Sequence, residues 1–281
     1  MSNTRDIRRR IKSVQSTMKI TKAMKMVAAA KLRRSQDAVT SARPYSRRIN
    51  EVLGRLANAS SDFSHPLLEK RETKNVGYIV ITADKGLCGG YNTNVIKKSF
   101  AEVKTHESVS IVAVGRKGRD FYKRIGKDIK AEFVGLGDEI GYEKAQEIAK
   151  TVMGMYTEGV VDEVHLVYSE FVSALTQKPA SQKILPVETP DSDKAQGEYI
   201  FEPSAEGILT NLIPSYIETS IYRALLEAKA GEQGARMTAM GSATDNAGEM
   251  IDKLTLSLNR ARQAQITKEL SEIVGGAAAL E

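Results

Sequence analysis

The sequence predicts an α/β fold that combines a Rossmann-like domain with a long antiparallel coiled coil formed by the two ends of the chain. Three observations indicate this fold: apolar heptads in the first 56 residues, a second series of heptads after residue 208, and alternating strand and helix patterns between them. The 281 residues suffice for a buried core. We expect a helix at 1–56, an α/β domain at 57–203 and a second helix at 204–281.

The N-terminal heptads are read in alternating steps of four and three residues from Ile7. Eleven of the fifteen positions are apolar, which is typical of a coiled-coil seam. The seam positions are Ile7, Ile11, Val14, Met18, Thr21, Lys25, Ala28, Leu32, Ser35, Val39, Ala42, Ser46, Ile49, Leu53 and Leu56. Asn3 or Thr4 is expected to cap the helix, with Asp6 in its first turn. Pro44 is expected to kink it.

This helix needs a partner, and the C-terminal end of the chain supplies one. Its length is about 80 Å, whereas a compact chain of this size has a radius of gyration of about 19 Å. The C-terminal seam runs through Leu212, Tyr216, Leu226, Ala230, Met237, Met240, Thr244, Ala247, Ile251, Leu254, Leu258 and Ala261. Gly275 and Gly276 are expected to end this second helix near Val274. The simplest arrangement is an antiparallel coiled coil.

Three glycines recur at a spacing of seven residues in the C-terminal helix: Gly234, Gly241 and Gly248. Each costs about 1 kcal/mol of helix stability relative to alanine. Their spacing puts them on one stripe, where a missing side chain would permit close packing against the other helix. The alternative is that they are three unrelated, tolerated glycines.

Charge is distributed unevenly along the chain. The net charge is +6, but residues 1–56 hold fifteen Lys and Arg against three acidic residues, a net of +12. Such a segment fits an acidic partner, which could be nucleic acid, a membrane surface or an acidic protein. The alternative is a solvated basic face. No segment approaches the roughly 20 consecutive apolar residues of a membrane-spanning helix.

The middle of the chain alternates between strands and helices. Strands are expected at 76–82, 109–114, 130–134, 163–172 and 181–188, and helices near 92, at 117–125 and at 141–157. This order predicts a mostly parallel sheet covered on both faces. Residues 189–203 are expected to form a loop that leads into the C-terminal helix.

A glycine-rich turn at 84–90 follows the first strand and allows two interpretations. It could cradle a phosphate, or it could be a structural turn, and its spacing matches neither the dinucleotide-binding nor the P-loop motif. Cys88 lies in this turn without a histidine near it in sequence, so it has little claim as a nucleophile. No cysteine–histidine cluster has metal-ligand spacing. We therefore expect no catalytic residue, no metal and no cofactor.

Three segments resemble the gamma-subunit family of F-type ATP synthases. They are KITKAMKMVAAAKL at 19–32, ITADKGLCGGYN at 81–92, and ARMTAMGSATDNAGEM at 235–250 followed by NRARQAQITKELSEIVGGAAAL at 259–280. The segments occur in the family's order along the whole chain, and the C-terminal motif is highly specific.

The resemblance implies a non-catalytic central rotor. Its terminal helices would form an axle inside a ring of alpha and beta subunits, and its α/β domain would bind epsilon and rest on the membrane ring of c subunits. The delta subunit is a further partner of the complex. Rotation driven by proton flow would take the beta subunits in turn through open, loose and tight states, which couples proton transport to ATP synthesis.

The resemblance also assigns contact residues. The beta-subunit contacts map to Met24, Lys25, Arg262 and Gln263. The residues expected to pack the coiled coil are those that the spacing already indicated: Ile7, Ile11, Val14, Met18, Gly234, Gly241 and Gly248. Tyr199 and Glu202 lie in a segment that matches the foot region facing epsilon and the c ring. A basic N-terminal helix would complement acidic loops of the beta subunits through ion pairs of roughly 0–1 kcal/mol each.

The departures from the family bear on location. Chloroplast members carry an inserted pair of cysteines, whereas this chain has only Cys88, so a redox switch is excluded. The resemblance implies a peripheral position at the cytoplasmic face of the plasma membrane, and a mature mitochondrial form stays open. Two rival functions are a nucleic-acid-binding coiled coil and a nucleotide-dependent enzyme. The basic helix lacks interleaved aromatic residues, so we expect no nucleic-acid partner.

Overall fold

The computed structural model describes residues 4–59, 65–188 and 204–278. Its elements in chain order are α1 (Thr4–Ala59), β1 (Asn75–Ile81), α2 (Tyr91–Val103), β2 (Ser108–Val114), α3 (Arg116–Arg124), β3 (Ile129–Phe133), α4 (Tyr142–Thr157), β4 (Glu163–Phe171), β5 (Gln177–Leu185) and α5 (Ala205–Ala278). Every expected strand and helix is present. The loop expected at 189–203 lies outside the described residues.

The five strands form one sheet in the order β3-β2-β1-β4-β5. Strand β1 pairs in parallel with β2 and β4, and β2 pairs in parallel with β3. Strand β5 runs antiparallel to β4 and begins at Gln177, four residues earlier than expected. It contains Pro179, which a strand at the edge of a sheet tolerates. The prediction of a mostly parallel sheet is confirmed.

Contacts divide the chain into two units. The α/β unit is Ala28–Arg236, and the helical unit joins the residues up to Val27 with those from Met237 onward. Both long helices therefore contribute to both units. The three-part division expected from the sequence stays a prediction.

Strand β1 supplies alternate side chains to two cores in the α/β unit. Ile79 and Ile81 pack in one core with helix α4 and with residues of α1 and α5 such as Leu53 and Ile217. On the other face, Tyr78 and its neighbours pack against α2 and α3. Because side chains alternate along a strand, both faces of the sheet are covered, as predicted.

The seam predicted for α1 is present. Fourteen of its fifteen positions are buried or half-buried, and the exception is Lys25, which is exposed. The helix continues through Pro44 as one element, and Asp6 lies in its first turn. Asn3 lies outside the described residues, and helix α1 begins at Thr4.

Helix α5 corrects two expectations. Leu212 and Tyr216 of its predicted seam are only half-buried, whereas Ile213 and Ile217, one position further along, are fully buried. Here the helix lies against the core of the α/β unit, and residues 219–234 are buried on most sides, so a broad face replaces a two-position seam. The predicted end at Val274 is also wrong, because the helix runs through both following glycines to Ala278.

Candidate interaction surface

The two chain ends pack side by side in the helical unit. Thr21 Oγ1 lies 2.8 Å from Thr244 Oγ1. A Cβ atom added at Gly241 would lie 3.6 Å from Cε and Nζ of Lys25. Positions on α1 advance as those on α5 recede, so this pair is antiparallel, as predicted. Because both helices rise equally per residue, the same register puts Thr4 opposite residue 261.

Helix α5 continues beyond the start of α1, and this extension is exposed. Every residue from 262 to 276 is exposed, so none is covered by another described part of the chain. Four large apolar residues lie on this stretch at helical spacing, with exposed fractions between 46% and 67%: Ile266, Leu270, Ile273 and Val274. They form one apolar stripe, which is the pattern of a helix that packs against another surface.

The predicted contact residues lie on this unit. Lys25, Arg262 and Gln263 are exposed, and Met24 is half-buried. The sequence analysis missed three exposed apolar residues beside Met24 on α1, although each departs from the heptad seam and could have been found that way: Ile20, Met26 and Val27. Tyr199 and Glu202 lie outside the described residues.

The N-terminal part of α1 presents a basic surface. Eight lysines and arginines between Thr4 and Val27 are all exposed, and they face one acidic residue of the same stretch, Asp6. Arg9 lies 3.9 Å from that carboxylate, and both side chains are more than half exposed. An exposed ion pair at this distance contributes little to the stability of the fold. The surface therefore keeps its positive charge and favours an acidic partner.

The three glycines of α5 do not share one packing stripe, which corrects the first interpretation. A Cβ at Gly234 would lie 3.0 Å from the carbonyl oxygen of Ala174, so its close neighbour is a loop rather than a helix. Gly241 leaves room for the side chain of Lys25 across the helix pair, and a Cβ at Gly248 would meet nothing within 4 Å. The seven-residue spacing predicted the side of α5 on which each glycine lies, but it could not predict which residues lie opposite that side.

The glycine-rich turn is occupied by contacts within the chain. Asp84 accepts hydrogen bonds from the backbone N–H of Arg116, at the start of α3, and of Gly135, at 3.0 and 2.9 Å. Asn92 accepts one from the N–H of Ala83 at 2.8 Å. Arg236 donates to the carbonyl of Gly86 at 3.2 Å. These contacts favour the structural interpretation of the turn.

Cys88 is a core residue of this turn. Its side chain is 2% exposed, and burial raises the pKa of the thiol above its ordinary value. A raised pKa leaves less thiolate, the nucleophilic form, at neutral pH. Across 4–59, 65–188 and 204–278, no cluster of three or more His, Cys, Asp or Glu side chains could hold a metal ion.

A chain of ion pairs in the α/β unit joins both long helices to the loop after β3. Lys31 of α1 lies 2.6 Å from Asp138, whose other oxygen lies 3.6 Å from Lys229 of α5. Glu232 then pairs with Lys229 at 3.5 Å and with Arg236 at 2.7 Å. The hydrogen bond from Lys31, with help from Lys229, holds the pKa of Asp138 below its ordinary value. The side chains of Lys229, Glu232 and Arg236 are nearly buried. These ion pairs therefore hold α5 against the glycine-rich turn, which Arg236 contacts at Gly86.

No helix in the described part of the chain is both long and apolar enough to cross a membrane.

The chain is similar to known proteins in sequence and in fold. The ATP synthase family model matches residues 3–280 of the chain. The ATP synthase gamma chain of Desulforamulus reducens is 62% identical over 283 residues, which cover 100% of both chains. A chain from the central stalk/c-ring structure of the Tetrahymena thermophila mitochondrial ATP synthase is 26% identical, with a TM-score of 0.65 over 80% of this chain and 99% of its own. In fold alone, a chain of the Euglena gracilis mitochondrial ATP synthase in rotational state 3 has a TM-score of 0.71, at 18% identity, over 99% of this chain and 94% of its own.

Proposed function

The chain belongs to the ATP synthase gamma chain family, and on that premise we propose that it is the central rotor subunit of an F-type ATP synthase. It transmits rotation between a proton-driven c ring and a catalytic ring of alpha and beta subunits. Its partners are therefore the alpha, beta, epsilon and delta subunits and the c ring. The names of the relatives and the central stalk match support this assignment.

The observation that carries the proposal is the exposed end of α5. Residues 262–276 have no cover from the described chain, yet they carry an apolar stripe that water disfavours. A helix that turns inside a surrounding ring presents an apolar stripe on one of its sides to each neighbour in turn. A ring of alternating alpha and beta subunits provides such neighbours.

The contact residues that the resemblance implies are compatible with this geometry. Arg262 and Gln263 begin the uncovered stretch, and the ammonium of the exposed Lys25 lies beside Gly241 of α5. Met24 lies beside it, half-buried and apolar. We assign these four residues to contact with the beta subunits. Tyr199 and Glu202 are assigned to epsilon and the c ring on the resemblance alone.

The subunit itself is non-catalytic in this proposal. In the glycine-rich turn the Asp84 carboxylate is engaged by the N–H groups of Arg116 and Gly135, and the carbonyl of Gly86 is engaged by Arg236. Cys88 is held as a buried thiol. Nucleotide chemistry then belongs to the alpha–beta interfaces. We place the protein at the cytoplasmic face of the plasma membrane as a peripheral component, and the single cysteine agrees with a member that lacks the redox switch.

Co-purification and coupling test the function together. The tagged full chain is expressed with its alpha, beta, epsilon, delta and c partners, and ATP hydrolysis and proton pumping are measured side by side in membrane vesicles. We expect the partners to co-purify and hydrolysis to drive pumping only when this chain is present. Isolation of the chain without alpha and beta subunits, or pumping in its absence, would contradict the proposal.

A matched pair of variants tests the assignment of Arg262 to the contact surface. Arg262→Ala is compared with Arg260→Ala, since both arginines are exposed and lie two residues apart on different faces of α5. We expect the first variant to reduce coupled pumping several-fold and the second to leave it unchanged. Equal behaviour of the two would remove Arg262 from the contact surface and leave the rotor assignment intact.

A further inference from the structure

Basic residues gather at one edge of the sheet in the α/β unit. Strands β1, β2 and β3 run parallel, so α2 and α3 each return from the carboxyl edge of the sheet to its amino edge. The loops that follow these helices, at 104–107 and 125–128, therefore lie near one another at the amino edge. Four basic side chains on these loops and in the last turn of α3, which we call the basic corner, are exposed or half-exposed: Lys104, Lys123, Arg124 and Lys127.

An aromatic contact holds the two helices of this corner together. The rings of Phe100 in α2 and Phe121 in α3 meet edge to face, with centroids 5.5 Å apart and an interplanar angle of 83°. Lys104 Nζ lies 4.4 Å from the centroid of Phe100, and Arg124 Cζ lies 5.7 Å from that of Phe121. A ring attracts a cation through its quadrupole and carries no net charge. The contact therefore brings cations of both helices onto one surface without neutralising them.

Nearby carboxylates do not cancel this charge. Residues 116–130 hold seven Lys and Arg against two acidic residues. Those two are paired with other cations, Asp120 with Arg119 and Asp128 with Lys130, each at 2.8 Å. None of the four cations of the basic corner forms an ion pair with a carboxylate of the described residues.

The ends of the two helices offset only a part of the charge. Glu107, which is exposed on the first loop, leaves the four cations of the corner with a net of three positive charges. Helices α2 and α3 end here, at Val103 and Arg124. A helix C-terminus carries about half a negative charge, so the two ends together offset about one charge and roughly two positive charges remain.

The acidic residues at the start of β4 belong to a separate part of this edge. Asp162 and Glu163 lie where β4 begins, and β1 stands between β4 and β2. Neighbouring strands lie about 4.8 Å apart, which puts these carboxylates about 10–14 Å from the starts of β2 and β3. The Debye length is about 8 Å at physiological salt. The basic corner therefore presents its positive charge to a partner largely unscreened by them.

The amino edge lies at the end of the α/β unit away from the point where α5 leaves it. At the opposite, carboxyl edge, Gly86 accepts a hydrogen bond from Arg236, the last residue of the unit. In the proposed function the chain continues from Arg236 into the helices inside the ring, and the α/β unit is the foot on the membrane side. The amino edge is then the edge that faces the membrane.

A layer of anionic lipid headgroups fits this corner better than an acidic protein does. The carboxylates of a protein would have to match cations on two separate loops, whereas mobile headgroups adjust to them. Basic residues close to a membrane are attracted by the negative potential of its anionic lipids. Ile125, which is 36% exposed among the cations, adds the apolar contact that is common at membrane surfaces.

We propose that the basic corner binds anionic lipid headgroups of the membrane beside which the rotor turns. The inference rests on the proposed function, because that function decides which edge of the α/β unit faces the membrane. The attraction is shared among fluid lipids, so it draws the foot toward the membrane without holding the rotor at one angle.

Flotation with lipid vesicles tests the proposal on the complex of this chain with its alpha and beta subunits, purified without the c ring. In that complex the ring encloses the basic N-terminal helix, which would otherwise bind anionic vesicles itself. Vesicles of phosphatidylcholine alone are compared with vesicles that contain about one-third phosphatidylglycerol. We expect binding to the anionic vesicles only, and weaker binding as salt is added.

Two double variants on α3 separate the basic corner from net charge. Lys123→Ala with Arg124→Ala should weaken binding to the anionic vesicles about 25-fold, since each cation near the surface contributes about 5-fold. Arg116→Ala with Lys117→Ala removes the same charge from the other end of the helix, at the carboxyl edge, and should change binding less than about 2-fold. Thermal unfolding of both variants shows that they fold.

The proposal is overturned if the complex binds both kinds of vesicle equally, if the two double variants weaken binding equally, or if Lys123→Ala with Arg124→Ala binds as the parent does. It is also overturned if the complex ignores vesicles while that variant loses the c ring from the complete enzyme, because the corner would then bind a protein. Failure of the chain to assemble with alpha and beta subunits contradicts the proposed function and this inference with it. Failure of the assembled complex to bind vesicles contradicts this inference alone.

Discussion

Thr21 of α1 and Thr244 of α5 share a hydrogen bond of 2.8 Å between their hydroxyl groups, inside the seam that joins the two chain ends. Each hydroxyl also lies within hydrogen-bonding distance of a carbonyl of its own helix, Met18 for one and Met240 for the other. A hydroxyl has one proton, so one threonine donates across the seam while the other donates to its own helix. Two polar residues at heptad positions thus satisfy one another.

A double-mutant cycle measures this pair. Thr21→Val and Thr244→Val should each lower the free energy of unfolding by about 0.5–1.5 kcal/mol, because each removes the bond across the seam. The double variant should cost less than the two single variants added, since two valines pack in an apolar seam. Urea unfolding followed by circular dichroism gives the three values. Additive losses would mean that the hydroxyl groups do not interact in solution.

Alanine substitution should have opposite effects at two of the glycines of α5. At Gly248 a methyl group meets nothing within 4 Å, so Gly248→Ala should stabilise the chain by up to about 1 kcal/mol through helix propensity. At Gly234 the methyl group would press on the backbone oxygen of Ala174 at 3.0 Å, so Gly234→Ala should destabilise it. Thermal unfolding of the two variants provides the comparison. A common sign of effect would contradict the surroundings described for them.

Asp84 should stabilise the turn through its two backbone contacts. Asp84→Ala leaves the N–H groups of Arg116 and Gly135 without this acceptor, and should lower the free energy of unfolding by about 1–3 kcal/mol. Asp84→Asn keeps one acceptor oxygen and should lose less. Amide hydrogen exchange at these two residues should quicken in both variants, with the amide of Val112 in the central sheet as the unaffected control. Unchanged exchange at Arg116 would exclude this contact of Asp84.

The ion pairs of Asp138 should make stability depend on acid pH. The pKa of this carboxyl is lowered in the folded chain, chiefly by the hydrogen bond from Lys31. The stability that this carboxyl contributes to the folded chain is therefore complete at a pH above its unfolded pKa of 3.8. It is lost as the pH falls through the lower pKa of the folded chain. Solvent screens the pair, because Asp138 is 58% exposed, so Asp138→Asn should cost only about 0–1 kcal/mol at pH 7.

Asp128 provides the control for this measurement. It is equally exposed and pairs with one lysine, Lys130, at 2.8 Å, rather than with two lysines on different helices. The difference between the parent chain and Asp138→Asn should close in acid, whereas Asp128→Asn should show a smaller difference at every pH. Unfolding curves from pH 7 to pH 3 supply the data. If the difference in stability between the parent chain and Asp138→Asn grew as the pH fell, the prediction would be contradicted.

Periodicity in the sequence predicted the elements but not their mutual contacts. The seam from Ile7 to Leu56 could be read because apolar residues at heptad spacing face one partner. In α5 the same rule missed Ile213 and Ile217, since there the helix is enclosed on several sides and no single stripe stands out. The helix also passes through Gly275 and the following glycine, because a glycine lowers helix propensity without forbidding the helix.

The candidate interaction surface was also predictable in part, because part of it follows from helical periodicity. Exposure of Arg262 followed from the resemblance, and the apolar stripe after it is visible as a helical repeat. The partners of Asp84 were not predictable, because they are backbone groups of residues that are distant in the chain. A sequence pattern does not record which distant backbone groups a side chain will meet.

The register that puts Thr4 opposite Ala261 has an elastic consequence. Up to that point two helices share any bending or twisting load, whereas beyond it a single α-helix carries the load alone. A lone helix is the more compliant of the two, so deformation under load is concentrated in the last turns of α5. These turns therefore bend and twist more under a given load than the two-helix part of the unit that precedes them.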